Sequence, residues 1–155
     1  MLSARLVQII EDHAEQLTRG LIDDLLTSNH TPHYHHLTRD ELHHRTYDVY
    51  RNLGRWLTNE TESAIESSYV HLWKRRSAEG IPLSEIVYSL TLVKQHLLEY
   101  VRVCGMIDSA VDLHADRELQ RLVGRFFDKA VYHTVRGFEI DSNWQYLDAS
   151  LKCAA

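Results

Sequence analysis

Cysteine, proline and glycine are all scarce in this sequence of 155 residues, which contains two cysteines, two prolines and six glycines. Because Cys104 and Cys153 are too few and too far apart for a disulfide framework, we expect a reducing, cytoplasmic location. A β-sandwich or barrel needs many turns, so the scarcity of proline and glycine argues against both. No apolar run approaches the roughly 20 residues of a membrane helix, and the N-terminus does not resemble a signal peptide.

A basic excess, the usual mark of a nucleic-acid-binding protein, is also missing. The chain has 17 basic and 22 acidic residues and a net charge of -5, so we expect no nucleic-acid partner. Hydrolase, phosphate-loop and dinucleotide-turn motifs do not occur, which predicts a protein that is not an enzyme. With 44% hydrophobic residues, residues 1–155 can form a single domain with an ordinary core.

The apolar residues recur at spacings of three and four over five long stretches, and no stretch alternates as a β-strand does. The spacing predicts helices over residues 3–27, 38–57, 61–79, 83–107 and 117–141, with a short extra helix in the tail after residue 141. The fold class is therefore all-α, a bundle of five to six mostly antiparallel helices. The helix over 83–107 is apolar over so wide an arc that it lies either at the centre of the bundle or in a subunit interface.

Local signals mark several helix ends. Ser3 is a candidate N-cap of the first helix, and residues 38–41 (Thr-Arg-Asp-Glu) form a capping box before the second. Asn59 or Thr61 can cap the third helix. Gly80 suits the position after its end, and Pro82 suits the start of the fourth helix. Residues 28–37 and 108–116 are predicted to interrupt the helical pattern.

Histidine is unusually frequent, and six of the eleven histidines lie between residues 30 and 44. Neutral imidazole is a common ligand of zinc, copper, nickel and iron, so this segment is a candidate transition-metal site. The alternative is a polar loop that is merely rich in histidine. The candidate metal ligands are His30, His33, His36, His43 and His44.

A second set of histidines is distributed one per helix, at His71, His96 and His133. A helical bundle can bring such residues together around a haem or a metal ion, so these three are candidate cofactor-binding residues. The alternative is that each is a hydrogen-bonded histidine at the edge of the core.

Residues 73–76, Trp-Lys-Arg-Arg, lie in the final turns of the third predicted helix. One interpretation is a site for an anion or an acidic partner. The alternative is a helix end whose charges are solvated and favoured by the negative end of the helix dipole.

The stretch 75–90, Arg-Arg-Ser-Ala-Glu-Gly-Ile-Pro-Leu-Ser-Glu-Ile-Val-Tyr-Ser-Leu, resembles the N-terminal domain family of RsbR-type co-antagonists, the RsbRD N-terminal family. Residues 126–132 and 137–139 are similar to the last helix of that family, and Tyr34 with residues 41–42 is similar to its early segment. The resemblance implies a sensory or regulatory input domain, commonly fused to an output module, with a dimeric, globin-like fold that lacks haem. It also implies that Glu79, Gly80, Pro82 and Glu85 shape a turn between helices.

These observations favour a bacterial sensory or regulatory domain that acts by protein–protein interaction in signal transduction, as a homodimer. The alternative is a helical sensor that uses its clustered histidines to bind haem or a transition metal. An enzyme of unrecognised kind is the third hypothesis.

Overall fold

A computed structural model describes residues 4–58, 61–104 and 109–154, of which residues 58 and 144–147 are described by their backbone alone. Within these ranges the chain forms seven α-helices and no strand, which confirms the predicted all-α bundle. A 3₁₀ segment, Pro32–His36, separates the second and third helices. The helices are α1 (Ala4–Asp12), α2 (Ala14–Thr27), α3 (Arg39–Arg51), α4 (Leu53–Thr58), α5 (Glu62–Ala78), α6 (Leu83–Cys104) and α7 (Ala110–Cys153).

Two of the predicted helices are each divided in two. The first is interrupted at His13, whose ring Nδ1 lies 2.7 Å from the carbonyl oxygen of Ile9. The second is interrupted at Asn52, whose side-chain amide donates to the carbonyl of Asp48 at 3.2 Å. Such side chains compete for the carbonyl groups that a continuous helix would use, and this explains why one residue is enough to end each helix.

The local signals at the helix ends are confirmed where the structure describes them. Thr38 and Glu41 form the capping box of α3, and the Thr61 side chain accepts from the backbone N–H of Ala64 to cap α5. Gly80 has a φ of 77°, a left-handed conformation that glycine adopts without strain. The candidate caps at residues 3 and 59 lie outside the described residues.

The last helix is much longer than predicted. It begins at Ala110, where the Ser109 side chain accepts from the backbone N–H of Asp112. The interruption predicted over residues 108–116 is therefore wrong from residue 110 onward, and residue 108 lies outside the described residues. It then continues to Cys153, so the tail is part of α7 rather than a separate helix. Residues 142–153 contain neither proline nor glycine, and nothing local ends the helix there.

The core is one cluster of apolar side chains that α6 and α7 share with the other helices. Tyr50 of α3 is fully buried, and its hydroxyl donates to the carbonyl oxygen of Val93 in α6 at 3.1 Å. Gly137 lets α7 approach α5 closely, because a Cβ there would lie 3.1 Å from Cδ1 of Trp73. In the described ranges no helix combines the length and apolarity needed to cross a membrane.

Candidate functional site

A cavity of about 350 Å³ lies among α3, α5 and α6, a volume at the small end of the range of ligand pockets. Leu25 of α2, Tyr34 of the 3₁₀ segment, Trp56 of α4 and Phe127 of α7 complete its wall. Apolar and aromatic side chains form most of the lining, and a smaller polar set is concentrated on α3 and α5. The other lining residues are Leu42, Arg45, Thr46, Asp48, Val49, Ser68, Tyr69, His71, Leu72, Arg75, Arg76, Ser89, Leu90 and Val93.

Arg76 is the most unusual residue of this wall, because its exposure is only 5%. Ile65, Tyr69 and Trp73 are the other buried residues of α5, and Arg76 follows them on the same helical face. The interpretation of Arg76 as a solvated charge at a helix end is therefore wrong, although Lys74 is exposed as that interpretation expected. The three-and-four spacing along α5 was the signal that marked Arg76 as buried.

The guanidinium of Arg76 is incompletely satisfied. Its Nε is buried without a hydrogen-bond partner, and its ion pair with Glu79 is 3.8 Å long. Burial lowers the pKa of Arg76, because desolvation penalises the charged form. A buried cation with a free donor is costly in an apolar wall, so this position calls for an anion or another acceptor.

Glu79 cannot fully supply that acceptor, because Arg45 already holds it. The two terminal nitrogens of Arg45 donate to the two carboxylate oxygens of Glu79 at 2.7 and 2.8 Å, the bidentate geometry that suits this pair. Arg75, which also lines the cavity, is exposed to water. Arg76 is thus the cation of this group that combines deep burial with weak pairing.

Two hydroxyl groups continue the polar part of the wall. The buried Tyr34 hydroxyl donates to Oγ of Ser89 at 3.1 Å, and Ser89 in turn donates to the carbonyl of Ile86 at 2.7 Å. Burial raises the pKa of Tyr34, while the nearby Arg76 guanidinium acts in the opposite direction. Tyr34 therefore stays a neutral phenol beside the buried cation.

The turn between α5 and α6 holds this wall in place. Glu85 is buried at the start of α6, and one of its carboxylate oxygens accepts from the backbone N–H of His33 at 2.9 Å. Its other oxygen lies 2.5 Å from Nδ1 of the same histidine. With Glu79 bound to Arg45 and Gly80 in its left-handed conformation, these contacts fit the turn-shaping role that the family resemblance implies.

The candidate cofactor histidines have different surroundings. His71 lines the cavity, whereas Nε2 of His96 lies 2.5 Å from Oδ2 of Asp24 and connects α6 to α2. His133 is buried on α7, and its Nε2 has no hydrogen-bond partner and lies 3.9 Å from a carboxylate oxygen of Glu62. The haem hypothesis for these residues stays a prediction.

The candidate metal ligands between residues 30 and 44 are also engaged separately, and His43 and His44 lie in α3 rather than in a loop. His30 contacts the ring of Tyr88, and Nε2 of His43 lies 2.7 Å from Oε2 of Glu15. His44 packs edge-on against His43, His33 is held by Glu85, and His36 is exposed. Across the described residues, no group of three or more histidine, cysteine or acidic side chains is arranged to hold a metal ion. The geometry therefore gives the metal hypothesis no support.

Comparison of the chain with protein-family models, with curated proteins and with solved structures finds no match. The resemblance to RsbR-type input domains therefore stays a prediction from the sequence.

Proposed function

We propose that this protein is a cytoplasmic, non-catalytic sensory or regulatory domain that acts in signal transduction through protein–protein interaction, as a homodimer. The observation that carries the proposal is the course of α7. Phe127 of this helix lines the cavity, and the same helix continues to Cys153, where the described side chains are mostly exposed. A ligand in the cavity and a protein bound to the end of α7 would thus contact one continuous helix, so a small helix shift can connect them.

A single apolar stripe along α7 supports the proposal. Its positions alternate at spacings of four and three, the repeat of helices that pair side by side. The first part of the stripe is buried in the core, whereas Ile140 is 42% and Leu151 is 71% exposed. In the sequence the stripe comprises positions 119, 123, 126, 130, 133, 137, 140, 144, 147 and 151, all apolar except His133 and Gly137.

The dimensions of α7 place the end of the stripe outside the bundle. The 44 residues of α7 form a helix about 66 Å long, whereas a compact chain of 155 residues has a radius of gyration of about 15 Å. A second copy of the chain is the occupant that we propose for the exposed part. In a parallel pair the stripe meets itself, and Asn143 of one copy would face Asp148 of the other, so no like charges meet.

The resemblance of residues 75–90 to RsbR-type input domains supports the same role, because that resemblance implies a dimeric sensory domain. The cavity supports it too, since a sensory domain needs a place for its signal to bind.

Sedimentation velocity over a range of micromolar concentrations tests the proposal. We expect a dimer for the unaltered chain and a monomer for the double variant Ile140→Lys/Leu151→Lys, because lysine at both positions places like charges in the paired stripe. The matched control is Val111→Lys, which changes an apolar residue that is 77% exposed at the other end of α7 and outside the stripe.

Circular dichroism must show that all three proteins retain their helices. A monomeric unaltered chain at high micromolar concentration would overturn the homodimer. A dimer that survives the double substitution, or one that dissociates in the Val111 control, would show that α7 does not pair through this stripe.

A further inference from the structure

Two buried side-chain nitrogens have no hydrogen-bond partner in the described part of the chain, Nε of Arg76 and Nε2 of His133. Of these two residues, only Arg76 lines the cavity. Its ion pair with Glu79 is long, and Glu79 is itself held by Arg45. The cavity wall therefore contains a positive charge that the surrounding protein neutralises poorly.

The opposite part of the cavity is aromatic. Tyr69 lies on the same face of α5 as Arg76 and two helical turns before it, a separation of about 10 Å along the helix axis. Trp56, Tyr69 and Phe127 all line the cavity, and each of their rings packs against Phe126. The cavity thus has a cationic end and an aromatic end.

We propose that the cavity binds a small organic monocarboxylate, with its carboxylate paired to Arg76 and its apolar body lying toward Trp56, Tyr69 and Phe127. The inference deepens the proposed function, because it names the class of signal that the sensory domain would detect. It is tested by direct binding, so its outcome does not depend on whether α7 forms a dimer.

A carboxylate fits the cationic end better than the alternatives. Arg76 lines the cavity and has one donor, Nε–H, without a partner, and a carboxylate is the anion that pairs with two donors of a guanidinium at once. A cationic ligand would be repelled by Arg76. Asp48, the acidic residue of the lining, is exposed to water and is therefore a poor counter-charge for the buried guanidinium.

The size and lining of the cavity limit the rest of the ligand. A volume of about 350 Å³ equals that of about a dozen water molecules, which suits a body of medium-chain fatty-acid size. Because most of the wall is apolar, the body gains free energy from leaving water, and a strongly polar body would not. Octanoate is therefore a suitable probe.

The experiment measures binding of octanoate by isothermal titration calorimetry and by tryptophan fluorescence, to which Trp56 of the cavity wall contributes beside Trp73 and Trp144. Octan-1-ol and octylammonium carry the same chain with a neutral or a cationic head group. Arg76→Met removes the cation, and Val49→Phe fills part of the cavity while leaving Arg76 in place. Lys74→Met, at an exposed cation of α5 that does not line the cavity, is the matched control.

We expect octanoate to bind the unaltered chain and the Lys74 control alike, and to bind Arg76→Met about ten- to a hundredfold more weakly, the usual value of a charged hydrogen bond. Val49→Phe should also bind weakly, and octylammonium should not bind. The same measurement on Ile140→Lys/Leu151→Lys shows whether binding is independent of dimer formation, so the two proposals can fail separately.

Three results would overturn the inference. The first is that octanoate does not bind at millimolar concentration, the second that it binds no better than octan-1-ol, and the third that it binds Arg76→Met as tightly as it binds the unaltered chain. The second and third results would leave an apolar cavity in which the guanidinium has no part.

Discussion

Replacing Arg76 with methionine should make the ligand-free protein more stable, although Arg76 is among its most buried polar side chains. Its Nε donor has no partner, and its ion pair with Glu79 is 3.8 Å long. Methionine is unbranched and flexible, so it can occupy the space of the arginine stem without a charge. Glu79 keeps its two hydrogen bonds from Arg45 in the variant.

The expected magnitude follows from these contacts. A buried donor without a partner costs about 1–3 kcal/mol, and replacing buried charges by apolar groups is often neutral or stabilises by about 1–4 kcal/mol. The loss of the long contact to Glu79 and of the interaction with the Tyr34 hydroxyl offsets part of this gain. We expect the free energy of unfolding to rise by about 1–2 kcal/mol, which raises the Tm of a chain of this length by about 2–8 °C.

Urea unfolding at pH 7, followed by circular dichroism, measures the change. The comparison is with Arg75→Met, an exposed neighbour on the same helix, for which we expect a change within about 0.5 kcal/mol. The slope of the unfolding free energy against urea should be the same in all three proteins, because the surface exposed on unfolding hardly changes. If Arg76→Met instead lost more than about 1 kcal/mol at an unchanged slope, the guanidinium would be well satisfied, and the argument for a missing anion would fail.

Two further predictions concern Gly80 in the turn after α5 and the ion pair between Glu62 of α5 and Lys129 of α7. Gly80→Ala should lower the free energy of unfolding by about 1–2 kcal/mol in urea titrations, because alanine is strained at the φ of 77°. An added Cβ meets no atom within 4 Å, so the loss comes from the backbone conformation and not from a clash. Gly124→Ala, equally open but helical, should not destabilise, and equal losses in both variants would contradict the reasoning. Glu62→Gln should lower Tm at pH 7, because the hydrogen bond from Lys129 holds the pKa of Glu62 below its ordinary 4.5. Folded-state stabilisation by this carboxylate is present above pH 4.5 and disappears as the pH falls through its lowered pKa, so the Tm difference should vanish in acid. A difference that stays constant with pH, or one matched by the exposed Glu66→Gln, would count against this pair.

The helix ends were predictable because their signals act over a few residues. The capping box of Thr38 and Glu41, the Thr61 cap and the left-handed Gly80 all depend on neighbouring backbone groups. The interruptions at His13 and Asn52 are local as well, yet a side chain bonding to its own helix competes too evenly with the backbone to be predicted from residue type.

The partners of the histidines were not predictable. His33 with Glu85 and His96 with Asp24 join residues that are 52 and 72 positions apart, and only the packing of the helices brings them together. The clustering of six histidines between residues 30 and 44 predicted a shared metal ion, whereas tertiary packing gives each of the rings different neighbours.

The amino-acid sequence by itself determined an all-α chain, since the periodic apolar residues and local caps specify helices without reference to distant contacts. Only the tertiary structure decided what those helices enclose. Arg76 of α5 is poorly paired because Arg45 of α3 holds the carboxylate of Glu79. It lies in the wall of a cavity because a third helix, α7, contributes Phe127 to that wall. The spacing along α5 marks Arg76 as buried, but the pairing of a buried charge depends on every element around it, and no spacing within one helix contains that information.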